Sequence, residues 1–282
     1  FRSCGTLFNS VFGLDYQKSM IVCAIVIVLY TSMGGFLAAS TTDLIQGLLM
    51  SFAIVIVLIV GVVNAGGVAN VIAHGQAIEG FFDVMKYHDP ATGGAVSQGV
   101  IPILSGLAWG LGYCGMPHIL TRFMAVKSEK ELKKSSVIAI VWDILSLTAA
   151  CFIGIIGRAY LLPTVLGENG ASSSESVFIE MINKLFSSHL GLPFIGGIFL
   201  CGILAAIMST ADSQLLVTAS AASEDLYHQF IKKDADSKEI LTVARFTVIV
   251  VSVLAFVIAW NPNSSIMGLV SNAWAGLGAA FG

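Results

Sequence analysis

ILAAIMSTADSQLL, residues 203–216, decides how the whole chain is read. It lies in an otherwise almost wholly apolar stretch from Gly191 to Ser223, yet it carries Ser209, Thr210, Asp212, Ser213 and Gln214. On a helix, Ala206, Ser209, Thr210 and Ser213 follow the i, i+3, i+4, i+7 pattern and line one face, with Asp212 on its shoulder. A carboxylate within a membrane span is costly enough to mark a functional position by default, although Asp212 can also anchor its helix to a polar neighbour. Ala205 and the small residues around it let neighbouring backbones come close.

Two readings of the hydroxyls are open. Ser209 and Thr210 can bond back to carbonyls one turn earlier, as such residues do in membrane helices. Alternatively, two hydroxyl oxygens and a loosened helix carbonyl are hard neutral ligands suited to a weakly bound monovalent cation. A divalent ion would want several carboxylates, and none clusters here.

The surrounding chain is a membrane protein by composition. Of its 282 residues, 56% are hydrophobic and 11% charged, and the mean hydropathy is +0.88, all outside the range of soluble domains. Apolar runs of membrane length recur between short charged segments, which predicts a bundle of helices rather than an open sheet. Seven spans are expected, at 17–39, 43–65, 99–122, 136–161, 193–222, 241–260 and 265–282, the last of them cut short. The chain opens at Phe1 without Met and closes at Gly282 inside an apolar run, so it reads as one transmembrane domain, 1–282, incomplete at both ends. The five cysteines lack metal or disulfide spacing and read as packing residues, no basic patch suggests nucleic acid, and no nucleophile–base–acid set suggests an enzyme.

Lysines set the expected orientation. Lys127, Lys130, Lys133 and Lys134 crowd 124–134, and Lys232, Lys233 and Lys238 crowd 224–240, whereas 66–98 and 162–192 hold only Lys86 and Lys184. The first two segments are therefore expected in the cytoplasm, and the first span runs from outside to inside. HDPATGG, 88–94, and ASSSES, 171–176, read as outer solvated loops. SESVFIEMINKLF, 174–186, reads as a short surface helix capped by Ser174, packed on the bundle or acting as an outer lid.

Two further stretches carry chemistry. In WGLGYCGMPHILTRF, 109–123, a helix would stack Trp109, Tyr113 and Pro117 on one face, while Gly110, Gly112, Gly115 and Pro117 make it easy to interrupt. Interrupted helices are where transporters place substrate, though Trp and Tyr also populate interfacial belts. In YTSMGGFLAASTTDLIQ, 30–46, Thr41, Thr42 and Asp43 form an N-cap signal that restarts a helix at the cytoplasmic side; an ion-exit role for Asp43 is the alternative.

These stretches, with AAIMSTADSQLLVTASAASEDLY and GLVSNAWAGLGAAFG, resemble the sodium:solute symporter family over essentially the whole chain, and its proline-carrying branch most. The resemblance implies an all-α, LeuT-type bundle of inverted five-helix repeats, with this chain covering core helices 4 to 10 and lacking the first, in the inner (plasma) membrane. It implies sodium-coupled uptake of L-proline, with sodium as the coupling ion and no cofactor. By the same resemblance Ala206 offers a carbonyl and Ser209 and Thr210 their hydroxyls to sodium, Trp109, Tyr113, Met116 and Pro117 occupy substrate-pocket positions, and Asp43 lies on the sodium exit. Met116 stands where the proline branch has glutamine, Asp143 where an apolar residue is expected and Asn272 where it has tyrosine. A symporter for another amino acid, pantothenate or a sugar, and the membrane module of a sensor kinase, are the alternatives.

Overall fold

The computed structural model describes residues 1–89, 92–161, 174–261 and 265–281. Pro90 and Ala91 of the first expected loop, Ala171 to Ser173 of the second, and Gly282 lie outside the described residues. The elements are α1 (Arg2–Phe12), α2 (Tyr16–Asn64), α3 (Val68–Gln76), β1 (Lys86–His88), β2 (Ala95–Ser97), α4 (Val100–Gly112), α5 (Pro117–Met124), α6 (Glu129–Leu161), α7 (Val177–Ile182), α8 (Pro193–Ser220), α9 (Ser237–Ile258) and α10 (Ile266–Phe281). A 3-10 turn, Tyr113–Gly115, separates α4 from α5, and π-helical segments, Asn183–His189 and Ala221–Ile231, continue α7 and α8.

Among the described residues five helical segments are long and apolar enough to cross a membrane: Tyr16–Asn64, Val100–Met124, Glu129–Leu161, Pro193–Ile231 and Ser237–Ile258. The last helix, α10, is 16 residues long, short of a full crossing as expected of that span. One difference from the seven expected spans has a clear cause. The first two expected spans are joined in α2, which at 49 residues is far longer than one crossing needs. Its helical backbone is broken inside at Gly35 (φ 65°, ψ −174°), a conformation that only glycine adopts without strain.

That break corrects the expected cap at Thr41, Thr42 and Asp43. The threonine hydroxyls lie within helix and bond back, Thr41 to the Leu37 carbonyl (2.9 Å) and Thr42 to those of Ala38 (3.0 Å) and Ala39 (2.9 Å). The helix has already restarted at the glycine pair, because a glycine can change the chain's course within one residue where a capped loop needs several.

The described chain forms two compact units, Phe1–Ala53 with Gly197–Ile266, and Ile54–Gly196 with Met267–Gly282. In the first unit, Cys4, Ile27, Leu215, Ala219 and Val248 form a buried cluster joining α1, α2, α8 and α9. The stretch of α2 after Gly35 runs antiparallel to α8: Asp43 faces Ser213, and further along Ala53 lies where a Cβ on Gly202 would come 3.2 Å from its own. The end of α8 is tied to the start of α9 by Glu239, which accepts from Tyr227 Oη (2.5 Å) and from Lys232 Nζ (2.7 Å). Asp236 caps α9 by accepting from the Glu239 N–H (2.7 Å).

In the second unit the expected surface helix is present as α7 and packs inward. Ile179, Met181, Ile182, Leu185 and Phe186 are buried, and Met181 fills the spaces beside Gly61 of α2 and Gly157 of α6. Its N-cap position is Ser176 rather than Ser174. The segment 66–98, in which only 88–94 was expected as loop, holds α3 and the antiparallel pair β1–β2, in which Lys86 pairs Ser97 and His88 pairs Ala95. Strands of three residues leave too little alternation in the sequence to be read.

Candidate functional site

The polar stretch of α8 is built as its periodicity requires. Asp212 is fully buried, and its Oδ2 accepts the hydroxyl of Tyr30, which lies before the Gly35 break in α2. Ser213 Oγ donates to the Ser209 carbonyl (2.7 Å) and lies between two carboxylates, 3.3 Å from Asp212 Oδ1 and 3.4 Å from Asp43 Oδ2. The anchoring role open to Asp212 thus has its partner. Tyr30 was not singled out by sequence; a tyrosine just before a glycine pair in an apolar span is the only local signal.

Ser209 Oγ and Thr210 Oγ1 both donate to the Ala206 carbonyl, at 3.1 and 3.0 Å, so the three oxygens are gathered at one point of the helix. Ser209 is half-buried and Thr210 exposed. This is the back-bonded arrangement. It does not use up the hydroxyls, since an oxygen that gives its hydrogen to a carbonyl keeps its lone pairs.

The aromatic stretch lies in the second unit. The helix breaks where the glycines allow: α4 ends at Gly112, a 3-10 turn covers Tyr113–Gly115, and Met116 is extended (φ −87°, ψ 108°) before Pro117 opens α5. Proline suits that first helical position because it has no N–H to leave unpaired. The break corrects the single face expected for Trp109, Tyr113 and Pro117. Trp109 and Tyr113 stay together, while Pro117 falls on the next helix and is exposed. Met116 is packed away at 2% exposure and is not among the residues lining the cleft described next.

What gathers the aromatics is Trp274 of α10. Its ring stacks on Trp109 (centroids 6.0 Å, planes 22° apart) and meets Tyr113 edge-on (5.3 Å, 85°), both favoured geometries for aromatic pairs. Beside them opens a cleft of about 400 Å³ lined by Ser105, Ala108, Trp109, Gly112, Ser271 and Trp274 among others. The backbones touch through glycine. A Cβ on Gly112 would come 2.4 Å from Trp274 Cδ1, and one on Gly115 would come 2.4 Å from the Leu277 carbonyl oxygen. The sequence marked the segment around Trp274 as part of the resemblance but assigned it no role.

Apolar helices of membrane length, one interrupted beside an aromatic cleft and another carrying clustered hydroxyls and a buried carboxylate, define a polytopic helical membrane protein. Residues 1–282 match the model of the sodium:solute symporter family, and the chain belongs to that family. It is 44% identical over 281 residues to the osmoregulated proline transporter OpuE of Bacillus subtilis, covering 99% of this chain and 54% of that protein. It is 41% identical over 284 residues to a sodium/proline symporter of Staphylococcus aureus, covering 100% of this chain and 52% of that protein. The chain thus spans about half the length of the curated relatives it matches. A Na+-coupled sialic acid symporter, solved in a substrate-bound outward-open state, shares the fold with a TM-score of 0.71 at 23% identity, covering 98% of this chain and 58% of that one. The expected all-α, LeuT-type membrane fold is therefore the fold of this chain, a multi-pass membrane protein.

Proposed function

We propose that the full-length protein is a plasma-membrane symporter that takes up L-proline with sodium. The observation that carries this reading is the cleft lined by Trp109 and Trp274, with Tyr113 edge-on to Trp274 and not itself lining the cleft, in a chain whose relatives named above are proline carriers. Proline is a compact zwitterion with an apolar ring, and the stacked rings of Trp109 and Trp274, both lining the cleft, supply a flat wall for such a ring. Sodium is held by the Ala206 carbonyl and the hydroxyls of Ser209 and Thr210, which turn from their shared bond toward the ion; Asp43 lies on its way out. No cofactor is needed. Sodium moving inward down its gradient supplies the drive, including about 2.3 kcal/mol per charge for each 100 mV of membrane potential. Coupling requires that sodium and solute each tighten the other's binding by the same factor.

The test is uptake of radiolabelled L-proline by proteoliposomes of the full-length protein under an imposed sodium gradient, against other amino acids, pantothenate and sugars. Sodium-driven uptake competed only by proline is expected. Uptake of another solute, with proline neither carried nor competing, replaces the substrate and leaves the family assignment standing.

A further inference from the structure

The two lysine-bearing segments expected in the cytoplasm are not alike. Residues 122–134 hold five cations, Arg122, Lys127, Lys130, Lys133 and Lys134, against Glu129 and Glu131, a net charge of +3. Residues 224–240 hold three lysines against five carboxylates, a net charge of −2, and Lys232 is bonded to Glu239 at 2.7 Å. Of the lysines in the first segment, Lys133 is answered by Glu129 at 2.9 Å. Lys127, Lys130 and Lys134 are exposed and form no ion pair among the described residues. Lys130 and Lys134 stand at i and i+4 on one face of the first turns of α6, where the helix dipole disfavours cations. The positive-inside bias counts lysines and arginines whatever acids stand beside them. It therefore does not explain why one segment is neutralised and the other is not.

An apolar face lies immediately before these lysines. In α5, Leu120, Phe123 and Met124 fall at i, i+3 and i+4, and all three are exposed, Met124 to 82%. The helix ends the segment Val100–Met124, which is long and apolar enough to cross a membrane, so this face stands where hydrocarbon gives way to headgroups. We propose that Leu120 to Lys134 is a docking surface for anionic phospholipid of the surrounding membrane. Leu120, Phe123 and Met124 enter the boundary of the bilayer, and Lys127, Lys130 and Lys134 meet the headgroup phosphates. Apolar insertion together with attraction between lysines and anionic lipid is what holds interfacial helices to a membrane. A soluble anion would engage the lysines and leave the apolar face in water, whereas a lipid surface satisfies both.

The experiment places a solvatochromic fluorescent amino acid at position 124 of the full-length protein, in vesicles of phosphatidylcholine alone or mixed in equal parts with phosphatidylglycerol. Both leaflets have the same composition, so the result does not depend on which way the protein inserts. Emission should be blue-shifted in the mixed vesicles relative to phosphatidylcholine, and high salt should reverse the shift. Each lysine contributes about fivefold to such an attraction, so Lys127→Gln, Lys130→Gln and Lys134→Gln combined should weaken docking roughly a hundredfold and abolish the shift. Lys233→Gln, in the net-negative segment, should leave it unchanged. An unchanged thermal midpoint in phosphatidylcholine reports that the triple variant is folded; if it is not, the combination Lys127→Arg, Lys130→Arg and Lys134→Arg keeps the charge and should keep the shift. Emission that does not differ between the two lipids overturns the proposal, because Met124 is then either in water or covered by another part of the protein. A shift that survives loss of the three lysines, or is lost equally in Lys233→Gln, also overturns it.

Discussion

Tyr30 donates its hydroxyl hydrogen to the carboxylate of Asp212, so the part of α2 that precedes the Gly35 break is tied to the middle of α8 by a charge-assisted bond between a half-buried phenol and a buried carboxylate. Such bonds are stronger than neutral ones, and a fully buried carboxylate depends on them for stability. Tyr30→Phe removes the donor and leaves Asp212 with Ser213 beside it. The expected loss is about 1–3 kcal/mol, read as a lower midpoint in thermal unfolding of the solubilised full-length protein. A variant carrying both Tyr30→Phe and Asp212→Asn should lose less than the two singles added together, because the second change removes the charge that the first leaves short of a donor. Additive losses would show that the two side chains are not coupled.

The glycines of the broken helix differ in what they tolerate. Gly110 has open space at its Cβ position, whereas Gly112 meets the Trp274 ring and Gly115 meets backbone at 2.4 Å. Gly110→Ala should be neutral or stabilising by up to about 1 kcal/mol, from helix propensity alone. Gly112→Ala displaces Trp274 and should weaken solute binding. Gly115→Ala presses on a carbonyl that has no rotamer to escape into and should destabilise by about 1–3 kcal/mol or more. Thermal unfolding together with solute competition checks the three; equal behaviour of Gly110→Ala and Gly115→Ala would contradict the α10 contact.

Ser209 and Thr210 share the Ala206 carbonyl. If they are sodium ligands, replacing either by Ala removes one oxygen from a small set. The sodium concentration for half-maximal uptake should then rise by roughly tenfold, as for loss of a bond to a charged group, with normal amounts of protein in the membrane. Parental sodium dependence in both variants would mean that the hydroxyls serve only their own helix.

The orientation read from the lysines is tested by thiol labelling. A cysteine at Lys130 should be shielded from impermeant reagents in intact cells, and one at Ser188, exposed at the end of the segment that follows α7, should react. The opposite pattern reverses every side assignment.

How much of this was legible in the sequence differs from element to element. Asp212 announced itself, because a carboxylate in an apolar run is anomalous without any knowledge of its neighbours. The interruption between Gly112 and Pro117 was equally visible, since glycine and proline act on their own backbone. The restart of α2 was misplaced because a cap signal at Thr41, Thr42 and Asp43 and a glycine pair at 34–35 compete locally. The structure chooses the glycines and turns Asp43 toward Ser213.

Sequence alone determined the class of this protein: hydropathy over membrane-length runs, the lysine-bearing loops and the helical spacing of Ala206, Ser209, Thr210 and Ser213 are all local properties, additive along the chain. Only the tertiary structure decided that Tyr30 would hold Asp212, that Trp274 would close on Trp109 and Tyr113, and that Met116 would be packed away from the cleft. Those pairings join residues far apart in the chain, and they depend on how closely two helices approach. That distance is set by whether a glycine or a side chain stands at the crossing, a fact that periodicity in one helix does not contain.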